Sequence, residues 1–224
     1  MTPPLLDTVQ IDTAPNPEAA VIWLHGLGAD GNDFVPIVRE LDLSGCPPIR
    51  FIFPHAPTMP VTVNNGTVMP AWYDILSSDL VLREDEAGLR KSQAAIEQLI
   101  AQQESLGIPS HQIVIAGFSQ GCAMTLQTAL RYPKKLGGLL CLSGYLPLHA
   151  HLHDERHPAN HDTPIFMAHG SADPVIPIHR AEQSCDLLLA LGYHLDWHAY
   201  PMQHSVCPAE IDDIGQWFRD VLGR

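Results

Sequence analysis

The chain has 224 residues (24.6 kDa), and its 46% hydrophobic content is enough to bury a sizeable core, which excludes a disordered chain. Twenty-five acidic residues against twelve basic give a formal charge of −13, the wrong sign for holding nucleic acid or an anionic membrane surface. The five cysteines, Cys46, Cys122, Cys141, Cys185 and Cys207, are odd in number and show neither a CxxC pair nor metal-ligand spacing, so they read as reduced thiols rather than a disulfide framework.

The first fifteen residues, MTPPLLDTVQIDTAP, have no basic stretch followed by a long apolar one. No apolar run reaches the roughly 18 residues of a membrane span, so the expectation is a cytoplasmic protein without stable membrane insertion. The first strand signal is AAVIWLHG. It runs into HGLGADGNDF, whose Gly26, Gly28 and Gly31 spell a literal GxGxxG. A dinucleotide site also needs a helix opening inside such a loop and an acid ending the next strand. Here Asn32-Asp33-Phe34 looks like the helix start, beyond the last glycine, and the next strand, IRFIFPHAP, ends in Pro54 and His55. Nucleotide binding is therefore the weaker rival reading.

Residues 86–103 carry Leu89, Ile96, Leu99 and Ile100 at helical spacing, and residues 180–191 and 209–222 are similarly amphipathic, the last opened by Pro208. Between them lie the apolar runs IVIAGFS, GLLCLSG, PIFMAHG and LDWHAYP. Short apolar runs closed by Gly or Pro suit strands buried on both faces. Strand and helix alternate along the whole chain, which predicts one α/β domain over residues 1–224, a mostly parallel sheet flanked by helices, with ligands beyond the carboxyl ends of the strands.

The run IVIAGFSQGCAMTL raises the chemical question. Gly117-Phe118-Ser119-Gln120-Gly121 is a GxSxG pattern where a strand turns into a helix, and glycines two residues either side allow a turn tight enough to project a hydroxyl. A serine needs a base and something to orient the base. His204, in the loop after LDWHAYP, and Asp173, after PIFMAHGSA, both follow strand ends. The order Ser119, Asp173, His204 is the one expected of an α/β-hydrolase sheet. Asp173 before Pro174 also suits a plain Asx-turn, and a loop histidine is often just solvated. An oxyanion hole would take the backbone NH of Gln120, next to the nucleophile, and that of Leu27, between Gly26 and Gly28.

The blocks HGLGADGNDF, FPHAPTMPVTVNNGTVMPAWYD, GFSQGCAMTL, HGSADPVIP and YPMQHSV together resemble the phospholipase/carboxylesterase family of small α/β hydrolases, which includes bacterial carboxylesterases and acyl-protein thioesterases, from about Ala19 to Leu222. The resemblance implies the triad and oxyanion residues named above, hydrolysis of carboxylic esters or thioesters with no metal or cofactor, no large lid domain, and an ester or acyl-chain substrate as partner. Short- to medium-chain esters are the first expectation, and long-chain acyl thioesters or lysophospholipids the alternative. A non-catalytic binding protein on the same fold is the third class. Some members are dimers, so a homodimer stays open. Residues 57–74, with Trp72, resemble the family's loop beside an acyl groove, to which Val175 is also assigned. The stretch HAHLHDERHPANH, residues 149–161, is unlike the family. His149, His151 and His153 alternate in it as ligands for zinc or copper would, though a solvated loop is the commoner meaning.

Overall fold

The computed structural model describes residues 5–77 and 83–223. Strands β1 (Thr8–Asp12), β2 (Ala19–Leu24), β3 (Ile49–Pro54), β6 (Ile113–Phe118), β7 (Gly138–Leu142), β8 (Ile165–Gly170) and β9 (Leu195–Tyr200) form one sheet in the order β1-β3-β2-β6-β7-β8-β9. All neighbours run parallel except β1, which lies antiparallel on β3. The central strands are buried end to end, as their unbroken apolar runs require.

Alternation within a strand sends its residues to two cores. Ala20, Ile22 and Leu24 of β2 join the face covered by helices α1 (Glu86–Ser105), α2 (Gln120–Ala129), α3 (His149–Glu155) and α4 (Ile178–Ala190). Ala19, Val21 and Trp23 face Phe34, Ile37 and helix α5 (Pro208–Leu222), whose Ile211, Ile214, Trp217 and Phe218 fill that side. The registers Leu24 to Gly117, Phe118 to Leu142 and Gly170 to Tyr200 bring several strand ends level. The loops carrying the candidate residues therefore meet along one edge of the sheet.

Three elements differ from expectation. Strand β1 carries no sequence signal, because an edge strand is only half buried and TVQID has no apolar run. The hairpin of β4 (Thr58–Val61) and β5 (Thr67–Pro70) lies within residues 57–74, which the sequence marks only as a loop. Its Thr-Met-Pro-Val and Thr-Val-Met-Pro are short strands carrying proline, a weak strand signal. The glycine loop leads not into an α-helix but into a 3₁₀ segment, Val35–Arg39.

Candidate active site

Ser119 sits between β6 and α2 with φ 57° and ψ −116°, a conformation a non-glycine residue holds only under strain of about 1–3 kcal/mol. The surroundings enforce it. A Cβ on Gly117 would lie 2.2 Å from the Gly121 carbonyl oxygen, and one on Gly121 would lie 2.1 Å from that of Leu24. Both glycines are thus required for the turn to close against β2. The Ser119 N–H donates to Leu142 O at 2.9 Å, and helix α2 behind it is buried along its whole length.

The Ser119 Oγ is 2.9 Å from His204 Nε2, and His204 Nδ1 is 2.6 Å from Asp173 Oδ2. A carboxylate only accepts, so Nδ1 carries the proton and Nε2 is left to accept from the serine hydroxyl. The other oxygen of Asp173 accepts from the Val175 and Ile176 N–H groups at 2.8 and 2.9 Å. The Asx-turn is real, and it leaves one oxygen aimed at the imidazole. His169, fully buried, donates from Nε2 to Ile176 O at 2.7 Å with Asp173 Oδ2 at 3.3 Å. Burial lowers its pKa and keeps it neutral.

The glycine loop closes the opposite side. Leu27, Ser119 and Gln120 line one cavity of about 360 Å³, and the Leu27 N–H has no partner among the described residues. Gln120 opens α2, where N–H groups have no intrahelical acceptor. Two unpaired donors therefore flank the serine. The loop is not a phosphate cradle: a Cβ on Gly31 would lie 2.5 Å from Phe53 O, so that glycine answers to strand packing, and no helix opens within the loop.

The cavity wall is apolar, formed by Tyr73, Ile75, Phe118, Tyr145, Val175 and Ile176. Val175 is part of this wall and is 61% exposed. Trp72 does not. It is 1% exposed, its indole N–H donates to His25 O at 2.9 Å, and its backbone N–H donates to Gln120 Oε1 at 2.8 Å, so it supports the loops from behind. The residue of this segment that lines the cavity is its neighbour Tyr73, whose hydroxyl pairs with that of Tyr145 at 2.9 Å. Burial raises both phenols, Tyr145 to about 12, so both stay protonated. Trp72 and Tyr73 are both large aromatics, but adjacent residues of an irregular segment diverge and nothing local says which one faces the cavity. Tyr145, in the loop after GLLCLSG, carried no signal at all.

The first half of the histidine tract is a helix rather than a loop: residues 149–155 form α3, anchored by buried Leu152, and a 3₁₀ segment, Pro158–Asn160, lies in the rest. Alternation brings strand residues to one face but scatters helical ones, so His151 leaves the side shared by His149 and His153. Among the described residues no three His, Cys, Asp or Glu side chains group as metal ligands would. Nor is any helix among them long and apolar enough to cross a membrane.

Comparison with known proteins agrees with this fold. A family model described as Phospholipase/Carboxylesterase matches residues 8–222. The chain is 38% identical over 224 residues to acyl-protein thioesterase 1 of Yarrowia lipolytica, covering 98% of this chain and 99% of that one. It is 41% identical over 218 residues to acyl-protein thioesterase 1 of Gibberella zeae, covering 91% of each. The crystal structure of Arabidopsis thaliana SOBER1 superposes with a TM-score of 0.86 at 31% identity, covering 91% of this chain and 99% of that one.

Proposed function

The chain belongs to the phospholipase/carboxylesterase family, a serine esterase of the α/β-hydrolase fold, and from that premise we propose that Ser119, His204 and Asp173 are its catalytic triad. The observation that carries this is the unbroken pair of hydrogen bonds from Ser119 Oγ to His204 to Asp173, at 2.9 and 2.6 Å. His204 takes the Ser119 proton as the hydroxyl attacks an acyl carbonyl, and Asp173 holds the tautomer and stabilises the imidazolium. The Leu27 and Gln120 N–H groups receive the developing oxyanion. The leaving alcohol or thiol takes its proton from His204, and a water deprotonated by the same ring then hydrolyses the acyl-enzyme.

The apolar wall of the cavity suits an acyl chain, and the first reading is hydrolysis of short- to medium-chain acyl esters. The second, hydrolysis of long-chain acyl thioesters, is favoured by the relatives named acyl-protein thioesterase at 38% and 41% identity. A reducing cytoplasm suits the five unpaired cysteines, of which Cys122, Cys141 and Cys185 are buried.

The test is hydrolysis of p-nitrophenyl esters from acetate to palmitate, and of a palmitoyl-cysteine peptide, by the wild type and by Ser119→Ala. Loss of the nucleophile is expected to lower kcat by about 10⁶-fold. Retention of the rate by the variant would overturn the triad. A wild type that prefers the peptide thioester would select the second reading.

A further inference from the structure

The Gly26–Leu27 peptide has to be held. Glycine at 26 leaves this unit free to rotate, and Gly28 on its other side is already in the left-handed region at φ 78°. In a trans peptide the carbonyl and the N–H of one unit point opposite ways, and the described chain contains no cis bond. Whatever holds the Gly26 carbonyl therefore also aims the Leu27 N–H. Rotated by half a turn, the same unit would present a carbonyl oxygen to the developing oxyanion.

His25 makes the shorter of two hydrogen bonds to that carbonyl, Nδ1 to Gly26 O at 2.7 Å, beside Ala29 N at 3.3 Å. On its far side, His25 Nε2 accepts from the Ala56 N–H at 3.1 Å. An amide N–H can only donate and a carbonyl can only accept, so both bonds exist together in a single form of the ring, neutral with the proton on Nδ1. The ring is 2% exposed. Burial lowers its pKa against the upward pull of the Gly26 carbonyl and then of Asp30 and Asp33, so the neutral form is favoured. Trp72 packs on it with centroids 5.2 Å apart and grips the His25 carbonyl through its indole N–H.

We propose that His25 is a positioning residue, whose Nδ1–H locks the Gly26–Leu27 peptide with the Leu27 N–H turned toward the cavity. This rests on Leu27 acting as an oxyanion donor. The lock makes no contact with substrate and acts only through the orientation of one peptide group.

Two substitutions divide the ring's bonds between them. His25→Asn keeps a donor near the Nδ1 position and gives up the bond from Ala56. His25→Gln keeps an acceptor near the Nε2 position and gives up the bond to Gly26. Each removes one buried hydrogen bond, so thermal midpoints should fall alike. With p-nitrophenyl butyrate, kcat should stay within about three-fold of wild type in His25→Asn and fall about 100-fold in His25→Gln, the usual loss for one oxyanion donor, with KM little changed in both. Inhibition by an alkyl boronic acid, which forms a tetrahedral serine adduct, should weaken in step with kcat in His25→Gln alone. Equal losses of kcat in the two variants, or a wild-type rate in His25→Gln, would overturn the lock. Ser119→Ala measured alongside separates the two levels: if it keeps its rate, the triad falls, whereas its inactivity with indistinguishable His25 variants removes only the lock. Should neither His25 variant fold, ¹⁵N spectra of histidine-labelled wild type decide instead. A His25 ring protonated on Nδ1 is expected, and one protonated on Nε2 would overturn the proposal.

Discussion

Beneath Ser119 the chain is tied across distant segments, with Trp72 bonded to Gln120 and His25, Gln120 Nε2 to Tyr73 O at 2.7 Å, and His25 to Gly26 and Ala56. The rim of the same cavity is held far more loosely. Val175 on the wall is 61% exposed, and the β4–β5 hairpin, which does not line the cavity but meets the glycine loop beside it through Gly28 N to Pro70 O, shows Val68 at 65% and Val63 at 39%. The difference assigns them separate tasks. A buried, cross-bonded floor can keep donors and nucleophile in one arrangement through the reaction, which is what electrostatic stabilisation of an oxyanion needs. An exposed rim can change side chains at little cost to folding, so substrate choice is expected there.

The comparison breaks if floor and rim respond alike, and the largest contrast should come from Asp173→Asn. The amide can still sit beside His204 but favours the wrong tautomer, and kcat is expected to fall by about 10⁴-fold with folding intact. Circular dichroism and ester turnover on one preparation check both halves. Next is Gly121→Ala, aimed at the backbone contact beneath the serine. The added Cβ meets Leu24 O at 2.1 Å, backbone that cannot swing away. A destabilisation of about 3 kcal/mol is expected, lowering the thermal midpoint by about 10 °C. An unshifted midpoint would mean the strand-to-helix turn has slack.

Glu210 extends the floor beneath the His204 loop. It is fully buried in the first turn of α5, and burial pushes its carboxyl up from 4.5 to about 7, against the pull of the Cys207 backbone amide. Because the folded value lies above the unfolded one, the contribution is complete below about pH 4.5 and is lost as pH rises through 7. Urea unfolding should show the wild type losing about 2 kcal/mol between pH 5 and 8 that Glu210→Gln keeps. Parallel pH curves would remove Glu210 from the titration.

What was legible in the sequence follows the same division. Gly117, Gly121 and Ser119, the acid and histidine after β8 and β9, and the glycine pair around Leu27 are backbone demands. A tight turn or a strand end leaves a mark at fixed spacing. The fold was legible for the same reason, since strands buried on both faces read as unbroken apolar runs. The rim left no such mark. Trp72 and Tyr73 are neighbours of similar chemistry, and only contacts with His25 and Gln120, distant in sequence, turn the first inward and leave the second on the cavity wall. His25 itself stood in plain view before Gly26, but its part depends on Ala56, brought to it by the pairing of β2 with β3.

The smallest expected effect is at the rim, with Val175→Thr. The replacement keeps the shape of the side chain and exchanges one methyl for a hydroxyl on a residue whose exposure leaves little to lose in stability. If the wall receives the acyl chain, kcat/KM for the octanoate ester should fall about four-fold, the equivalent of about 0.8 kcal/mol for one buried apolar carbon, while acetate turnover and the thermal midpoint stay at wild-type values. The Val175 backbone matters for a separate reason, since its N–H holds Asp173 at 2.8 Å. A variant that disturbed that bond would slow acetate and octanoate equally, by acting on the base rather than on the chain. The ratio of the two rates therefore reports the wall, and their common factor reports the triad. A changed ratio with an unchanged acetate rate places substrate choice on the rim; an unchanged ratio moves it to Tyr73 and Ile75 deeper in the cavity.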